Sequence, residues 1–458
     1  MAIATVNPAT GVLEREFAAH TDLEVDVRIG EAHDAFLRLR RTTFSQRASW
    51  MHAAADLLQS EVDGVAHMLT TEMGKTLVQA RSEVSKSANT MRFYAENAEV
   101  FLTGRYIDEP GRMNASTAYT RYEPIGTVLA VMPWNYPIWQ VIRFAAPAFM
   151  AGNSGLLKHA SNVPQAAIYL DSLFERGGFP SGTFRALLIP AAKVEDVIRD
   201  PRVVAASLTG SEPAGRSVAA IAGSEVKPVV LELGGSDPFI VMPSADLDRA
   251  VATAVVSRTS NNGQACINAK RFIVHDAIYD DFVARFTVAM AALRIGDPLD
   301  ESTDIGPLAT SSGRDELAEL VDDAIAAGAL VTTGGFLIGG IGWYYPPTVI
   351  TGITSKMRLY REEAFGPVAT IFKAQDVEDA LRIANDTSFG LSSAIWTADS
   401  DEEAQLIEGL VAGAVFVNGM SISYPELPFG GTKDSGIGRE LSMEGIREFV
   451  TLKSVWRA

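Results

Sequence analysis

Along residues 22–103 apolar side chains recur at three- and four-residue spacing, as in "EVDVRIGEAHDAFLRL" and "QRASWMHAAADLLQSEVDGVAHML". That period predicts amphipathic helices. From residue 126 the pattern changes to short apolar runs beside Gly or Pro: "GTVLAVMP" (126–133), "SGLLKHA" (154–160), "FRALLIP" (184–190) and "VVAASLTG" (203–210). Helical patterns over 137–151, 164–176 and 193–199 separate them. Buried strands alternating with helices predict a parallel sheet with right-handed crossovers.

A second series follows. "PFIVM" (238–242), "RFIVH" (271–275), "TVIT" (348–351), "VATIFKA" (368–374), "SSAIWT" (392–397) and "GAVFVN" (413–418) read as strands. Helices near 246–257, 278–293, 312–327 and 376–385 lie between them, which predicts another α/β domain. The boundary falls near "LELGG" (231–235). The run "ASTAYTRYEP" (115–124) alternates without fitting the first sheet's rhythm and reads as an excursion hairpin. "EFVTLKSVW" reads as a terminal strand with no identifiable partner. An unpaired edge invites pairing with another chain, so an intersubunit partner is expected.

Composition narrows the class. The chain has 458 residues, 47% hydrophobic and 21% charged, as expected of a folded protein of two or three domains. The formal charge is 39 − 56 = −17, a balance that repels phosphate backbones and argues against nucleic-acid binding. A single cysteine cannot close an internal disulfide, which suits a reducing cytoplasm. The start, "MAIATVNPATG", lacks the basic and apolar regions of a signal peptide, and "FAAPAFMAG" is too short to span a bilayer. A soluble cytoplasmic protein is the expectation. With no H-x-x-x-H, C-x-x-C or G-x-S-x-G pattern, neither a metal site nor a serine hydrolase is expected.

Five stretches carry candidate chemistry. "NNGQACINAKRF" (261–272) holds Cys266, either a buried small hydrophobe or a nucleophile. "PWNYP" (133–137) follows a strand and opens a helix, so the Asn135 amide either caps that helix or donates to a developing oxyanion. "TGSEPAG" (209–215) puts Gly210 and Ser211 at a strand-to-helix turn that could cradle a phosphate, although such turns are common. "LELGGSDP" (231–238) places Glu232 in an apolar strand. Desolvation there raises a carboxyl pKa and suits a general base, the alternative being a strand-end ion pair with a lysine. "EEAFGP" (362–367) adds Glu363 in what could be an exposed turn, and His159 beside Lys158 reads as structural.

In this order, "PWNYP", "KHAS", "TGSEPAG", "LELGGSDP", "NNGQACINAKRF", "EEAFGP" and "PFGGTKDSG" resemble the aldehyde dehydrogenase superfamily over essentially the whole chain. "AVMPWNYPIWQVIRFAAPA" and "SISYPELPFGG" look most like the NADP-dependent succinate-semialdehyde dehydrogenases of actinobacteria. The resemblance implies a Rossmann-like cofactor domain (1–105 and 125–231), a catalytic α/β domain (232–435) and a small oligomerisation element (106–124 and 436–458). It also implies a homodimer or dimer of dimers.

By the same resemblance Cys266 is the nucleophile, Asn135 and the Cys266 N–H hold the oxyanion, and Glu232 activates water. Trp134 and Ser211 are expected at the cofactor pyrophosphate, Lys158 at the adenosine ribose, Glu363 at the nicotinamide ribose and Phe365 beside the nicotinamide. Relatives that prefer NAD often carry glutamate where this chain has Ser161; a serine can donate to a 2′-phosphate, so NADP is favoured over NAD. Arg143, eight residues after Asn135 and so on nearly the same helix face, and Ser423 match residues that hold a substrate carboxylate. A second family arginine, six positions before the cysteine, is replaced by Ser260, with Arg258 two positions off. Phe144 stands where many members have lysine, and Asn268 excludes a second cysteine two residues after Cys266. The implied activity is oxidation of succinate semialdehyde to succinate. Glutarate semialdehyde or an aliphatic aldehyde is the alternative, followed by a catalytically silent binding or structural protein. A CoA-acylating enzyme is disfavoured, because that group characteristically lacks Glu232.

Overall fold

The computed structural model describes residues 2–458. A hairpin of β1 (Ile3–Val6) and β2 (Leu13–Phe17) precedes four helices, α1 (Asp22–Leu39), α2 (Phe44–Ser60), α3 (Val62–Met73) and α4 (Leu77–Phe101). Thr21 and Thr43 start α1 and α2 by exchanging bonds with Glu24 and Gln46, which satisfies free N–H groups at each helix start. Then come β3 (Thr117–Pro124), β4 (Thr127–Met132), α5 (Trp139–Ala151), β5 (Ser154–His159), α6 (Pro164–Arg176), β6 (Phe184–Ala186), α7 (Val194–Arg199), β7 (Val203–Thr209), α8 (Glu212–Ser224) and β8 (Val229–Glu232).

The second half holds β9 (Asp237–Val241), α9 (Leu247–Thr259), β10 (Ala269–His275), α10 (Tyr279–Ala291), α11 (Ser311–Ala326), β11 (Leu330–Thr333), β12 (Thr348–Thr351), α12 (Arg358–Arg361) and β13 (Val368–Ala374). It continues with α13 (Val377–Asn385), β14 (Ser393–Trp396), α14 (Ser400–Gly409) and β15 (Val415–Val417). The chain ends with β16 (Gly436–Ile437), α15 (Ser442–Arg447) and β17 (Val450–Arg457).

Two sheets organise the molecule. The first has six strands in the order β16-β8-β7-β4-β5-β6, and the second seven in the order β11-β12-β13-β10-β9-β14-β15. Both are parallel except at one edge, where β16 and β11 run antiparallel. The apolar runs are buried because helices cover them: Val128, Leu129, Ala130, Leu156 and Leu157 are fully enclosed. Parallel strands all end at one edge, so the segments after β4, β5, β7 and β8 emerge together, where open α/β sheets bind ligands.

Two expectations need correcting. The C-terminal strand has a partner within its own chain: β17 pairs antiparallel with β3 along all eight residues. And residues 436–447, expected in an oligomerisation element, pack against the rest of the chain. β16 belongs to the first sheet, where Gly436 pairs with Glu232, and α15 packs on α4 and α5. The N-terminal hairpin, β11 and α14 had no clear pattern; β1, β2 and β11 are edge strands, and the last two are mostly exposed. Among the described residues no helix is long and apolar enough to cross a membrane, and no group of three His, Cys, Asp or Glu is placed to hold a metal.

Candidate active site

Cys266 lies on the loop between α9 and β10, half-buried. The loop turns through three consecutive left-handed residues, Asn261, Asn262 and Gly263, at φ 56°, 56° and 76°. Such a path is costly for non-glycine residues and needs support. Side chains of the same stretch supply it. Asn261 Nδ2 donates to the Asn135 and Gln264 carbonyls at 2.8 and 3.0 Å. Asn262 Nδ2 donates to the Gly74 and Pro307 carbonyls at 2.8 and 3.0 Å. Asn268 Nδ2 donates to the Ser260 carbonyl at 2.7 Å. From below, Lys270 Nζ donates to the carbonyls of Ala265, Cys266 and Asn268 and pairs with Glu363 at 2.9 Å. Arg258 is wholly buried and donates to the carbonyls of Gly263, Ala269 and Gly366, so it is committed to holding the loop.

Asn135 does not cap a helix. Residues 135–138 form a bend, and α5 begins at Trp139 with Ile138 at its N-cap. Asn135 Nδ2 donates one hydrogen to the Gln264 carbonyl at 3.0 Å, which fixes the amide beside the cysteine loop. The supposed helical spacing between Asn135 and Arg143 therefore does not apply; Arg143 alone is on α5. Glu232 is the last residue of β8, buried, and neither carboxyl oxygen has a partner. Burial pushes its pKa well up, with Arg143 opposing and the nearby Glu440 adding to the rise. No lysine pairs with it. Burial likewise pushes the Cys266 thiol up to about 12, against the pull of Arg143 and Lys270. His159 is buried between the Met132 and Pro137 carbonyls, and burial pushes it down to about 4, as suits a structural imidazole.

Two cavities meet this loop. The larger, of about 1360 Å³, is lined by Trp134, Lys158, Ser161, Ser211, Glu363 and Phe365, and by Gln264, two residues before the cysteine. Gly210, beside Ser211, bonds the Glu232 carbonyl through its N–H at 2.9 Å and does not line the cavity. The Trp134 and Phe365 rings meet edge to face at 5.6 Å. Ala2, Ala4 and Val6 of the N-terminal hairpin form part of the wall, with the Ala4 N–H donating to the Ser161 carbonyl at 3.0 Å. Burial lowers the Lys158 pKa, and no carboxylate pairs with it.

The smaller cavity, of about 270 Å³, is lined by Cys266, Arg143, Ser423, Ser260, Lys86 and Trp139 among others. Arg143 is not a surface residue. It is 2% exposed, ion-paired through Nε with Glu440, bonded to Thr209 Oγ1 at 3.3 Å and stacked on Phe429 at 4.6 Å. Ser423 Oγ accepts from Lys86 Nζ at 2.7 Å. Lys86 and Lys270 had not stood out in the sequence. Lys270 lies inside the cysteine motif and could have been suspected; Lys86 sits on a helix with no motif around it.

The Aldehyde dehydrogenase family model matches residues 1–455. The chain belongs to the aldehyde dehydrogenase family. Among curated aldehyde dehydrogenases, the chain is 60% identical over 461 residues to succinate-semialdehyde dehydrogenase [NADP(+)] 1 of Mycobacterium tuberculosis H37Rv, covering all of both chains. Its fold matches the crystal structure of succinic semialdehyde dehydrogenase from Streptococcus pyogenes in complex with NADP+, with a TM-score of 0.95, 35% identity and 99% of each chain covered. It also matches succinate-semialdehyde dehydrogenase from Burkholderia pseudomallei, with a TM-score of 0.95, 34% identity and coverage of 99% and 94%. The aldehyde dehydrogenase fold is thus shared along the whole chain, as the motif order implied.

Proposed function

We propose that this aldehyde dehydrogenase oxidises succinate semialdehyde to succinate with NADP. One observation carries the reading. The sole cysteine lines a small cavity that also holds cationic side chains, while Gln264, two residues earlier, lines a cavity large enough for a dinucleotide. The names of relatives at 60% identity point the same way.

The residues of the larger cavity fit NADP. Asn162 Nδ2 is buried without a partner there. Among the described residues no carboxylate pairs with Lys158, and burial is what lowers its pKa; it and Ser161, both in the cavity wall, would face a 2′-phosphate. At Gly234 a Cβ would come within 2.8 Å of Glu363 Oε2 and 3.0 Å of the Phe389 ring, so the wall is clear only because the residue is glycine. Trp134 and Ser211 would hold the pyrophosphate, with Gly210 shaping that turn. Glu363 would hold the nicotinamide ribose and Phe365 the nicotinamide side. When bound, NADP supplies a hydride acceptor for the aldehyde carbon.

The chain's own part starts at Cys266. Its thiolate attacks the aldehyde carbon, and the oxygen becomes an oxyanion. The second Asn135 amide hydrogen and the Cys266 N–H, which has no backbone partner among the described residues, donate to it. Loss of hydride leaves a thioester on Sγ. Ionised Glu232 takes a proton from water, which attacks the thioester carbonyl and releases succinate and the thiol. Arg143 and Ser423, both in the wall of the small cavity, would face the far carboxylate.

In this reading the six-stranded sheet with α1–α8 is the cofactor domain and the seven-stranded sheet the catalytic one. The β3–β17 ribbon, with Leu452 and Trp456 about half exposed, supports a homodimer or dimer of dimers. Sedimentation showing only monomer at micromolar concentration would refute that assembly. The test of the activity is NADPH absorbance with a panel of aldehydes and both cofactors. Acid semialdehydes with NADP should give the highest kcat/KM; faster turnover of uncharged aldehydes would overturn the substrate assignment.

A further inference from the structure

The charges around the small cavity do not balance. Arg143 is paired with Glu440, Lys75 with Glu83, and Lys270 with Glu363. Glu83 is further occupied by the N–H groups of Ile138 and Trp139 at 2.8 and 3.0 Å. Ser260, also in the cavity wall, carries no charge, and its hydroxyl bonds back to the Val256 carbonyl at 2.7 Å. Lys86 is what remains. It projects from the α4 face formed by Gln79, Ser82, Glu83 and Lys86, which points into the cavity. Its ammonium lies 4.1 Å from the centre of the Trp139 ring and donates to Ser423 Oγ at 2.7 Å. Among the described residues no carboxylate pairs with it.

We propose that Lys86 is the specificity-determining cation that receives the carboxylate of the substrate. This rests on the succinate semialdehyde reading above. A four-carbon semialdehyde whose carbonyl is at Cys266 ends in a carboxylate, and the cavity of about 270 Å³ offers one cation not already neutralised. Ser423 then orients the ammonium and can donate its own proton to the same carboxylate. The Trp139 face holds the ammonium without quenching its charge.

The placement has a pH signature. Burial, with the Arg143 charge, pushes Lys86 down to about 7, and Glu83 opposes that shift. The charged groups facing it are therefore Glu83 on its own helix and Arg143 on α5; the 260–268 loop adds the Cys266 thiol, and residues 420–423 add no charge. Below pH 7 Lys86 is a cation and attracts the carboxylate. Above pH 7 it becomes neutral and the attraction is lost, while the substrate carboxylate, with a pKa of about 4, stays ionised throughout.

The experiment compares kcat/KM for succinate semialdehyde and for butyraldehyde in the wild type, K86A, K86Q and K86R, from pH 6 to 9. It adds succinate binding to each by calorimetry and a melting curve as a fold control. In wild type the acid-to-neutral ratio should fall as pH rises through about 7. K86A and K86Q should lose roughly ten- to a hundredfold on the semialdehyde, mostly in KM, and about twofold or less on butyraldehyde. Their ratios should be flat with pH, their succinate binding weak, and K86R should recover much of the preference. A wild type with no preference at pH 6 overturns the substrate reading. A wild type that prefers the semialdehyde, with K86A and K86Q keeping that preference or losing both aldehydes equally, overturns the role of Lys86 alone.

Discussion

Each cavity beside Cys266 is lined by one lysine that lacks a carboxylate partner, Lys158 in the larger and Lys86 in the smaller. The two are reached by different architecture. Lys158 is near the end of β5, at the sheet edge where the segments after β4, β5, β7 and β8 emerge together. Lys86 is in the middle of a 25-residue helix, and its cavity is completed by α5, the cysteine loop and residues 420–429. Where a site is made at a sheet edge, each contributing residue follows its strand directly, and binding geometry is inherited from strand register. Where it is made on a helix face, the residues are a turn apart and their neighbours in sequence face elsewhere. The first kind tolerates little local change; the second can exchange one cation for another while the fold stays the same.

The strongest separation of the two cavities comes from Cys266→Ala. Turnover should fall by about 10⁴-fold or more, as for a nucleophile that acts as part of a unit. NADP binding, followed by fluorescence quenching, should be nearly unchanged, and a folded mutant that still oxidises aldehyde would refute the assignment. Glu232→Gln should allow one burst of NADPH and then slow the steady state by about 10²–10⁴-fold. Because burial pushes the Cys266 thiol up to about 12, its thiolate fraction grows with pH, and butyraldehyde kcat/KM should rise between pH 6 and 9. A falling profile would contradict that environment of Cys266.

Arg143→Ala sharpens the contrast with Lys86. It strands the Glu440 carboxylate in a buried position, at a cost of about 3–5 kcal/mol in stability. The melting temperature should drop and both aldehydes should suffer, whereas Lys86 substitutions should leave melting almost unchanged. Adding Glu440→Gln to Arg143→Met should restore much of the lost stability; a normal melting curve for Arg143→Ala would show that the pair is not held as described. The smallest effect is expected on the larger cavity. Ser161→Glu replaces a donor by a like charge facing the 2′-phosphate and should shift the NADP-to-NAD ratio of kcat/KM by about tenfold or more toward NAD. If wild type already prefers NAD, Lys158 has a different role.

Much of this was legible because burial is. The strands of both sheets appear as short apolar runs, and the turns after them carry the small polar motifs. The supports of the cysteine loop were partly legible too, since the asparagines and Lys270 lie inside one stretch. What could not be read is pairing at a distance. Glu440 is nearly three hundred residues from Arg143, so nothing near either one shows that the arginine is already neutralised. The ion pair turns an apparent substrate cation into a half-committed one. The same limit hid the partner of β17, which lies at residues 117–124. Lys86 was hidden for the opposite reason: a lysine on a helix is ordinarily a solvated surface residue, and only tertiary packing reveals that this one is enclosed.

The N-terminal hairpin carries a practical consequence. Ala2, Ala4 and Val6 line the larger cavity, the Ala4 N–H holds the Ser161 carbonyl, and Thr5 Oγ1 donates to the buried Glu72 at 2.7 Å. A purification tag fused ahead of these residues would lie next to the wall of the larger cavity. Polyhistidine is a mobile, titratable segment, and beside that cavity it would compete for phosphate and blur any apparent cofactor constant. A tag joined after Ala458 would leave from the end of the β3–β17 ribbon, which lines neither cavity. Cofactor discrimination is therefore best measured on protein tagged at the C-terminus or freed of its tag.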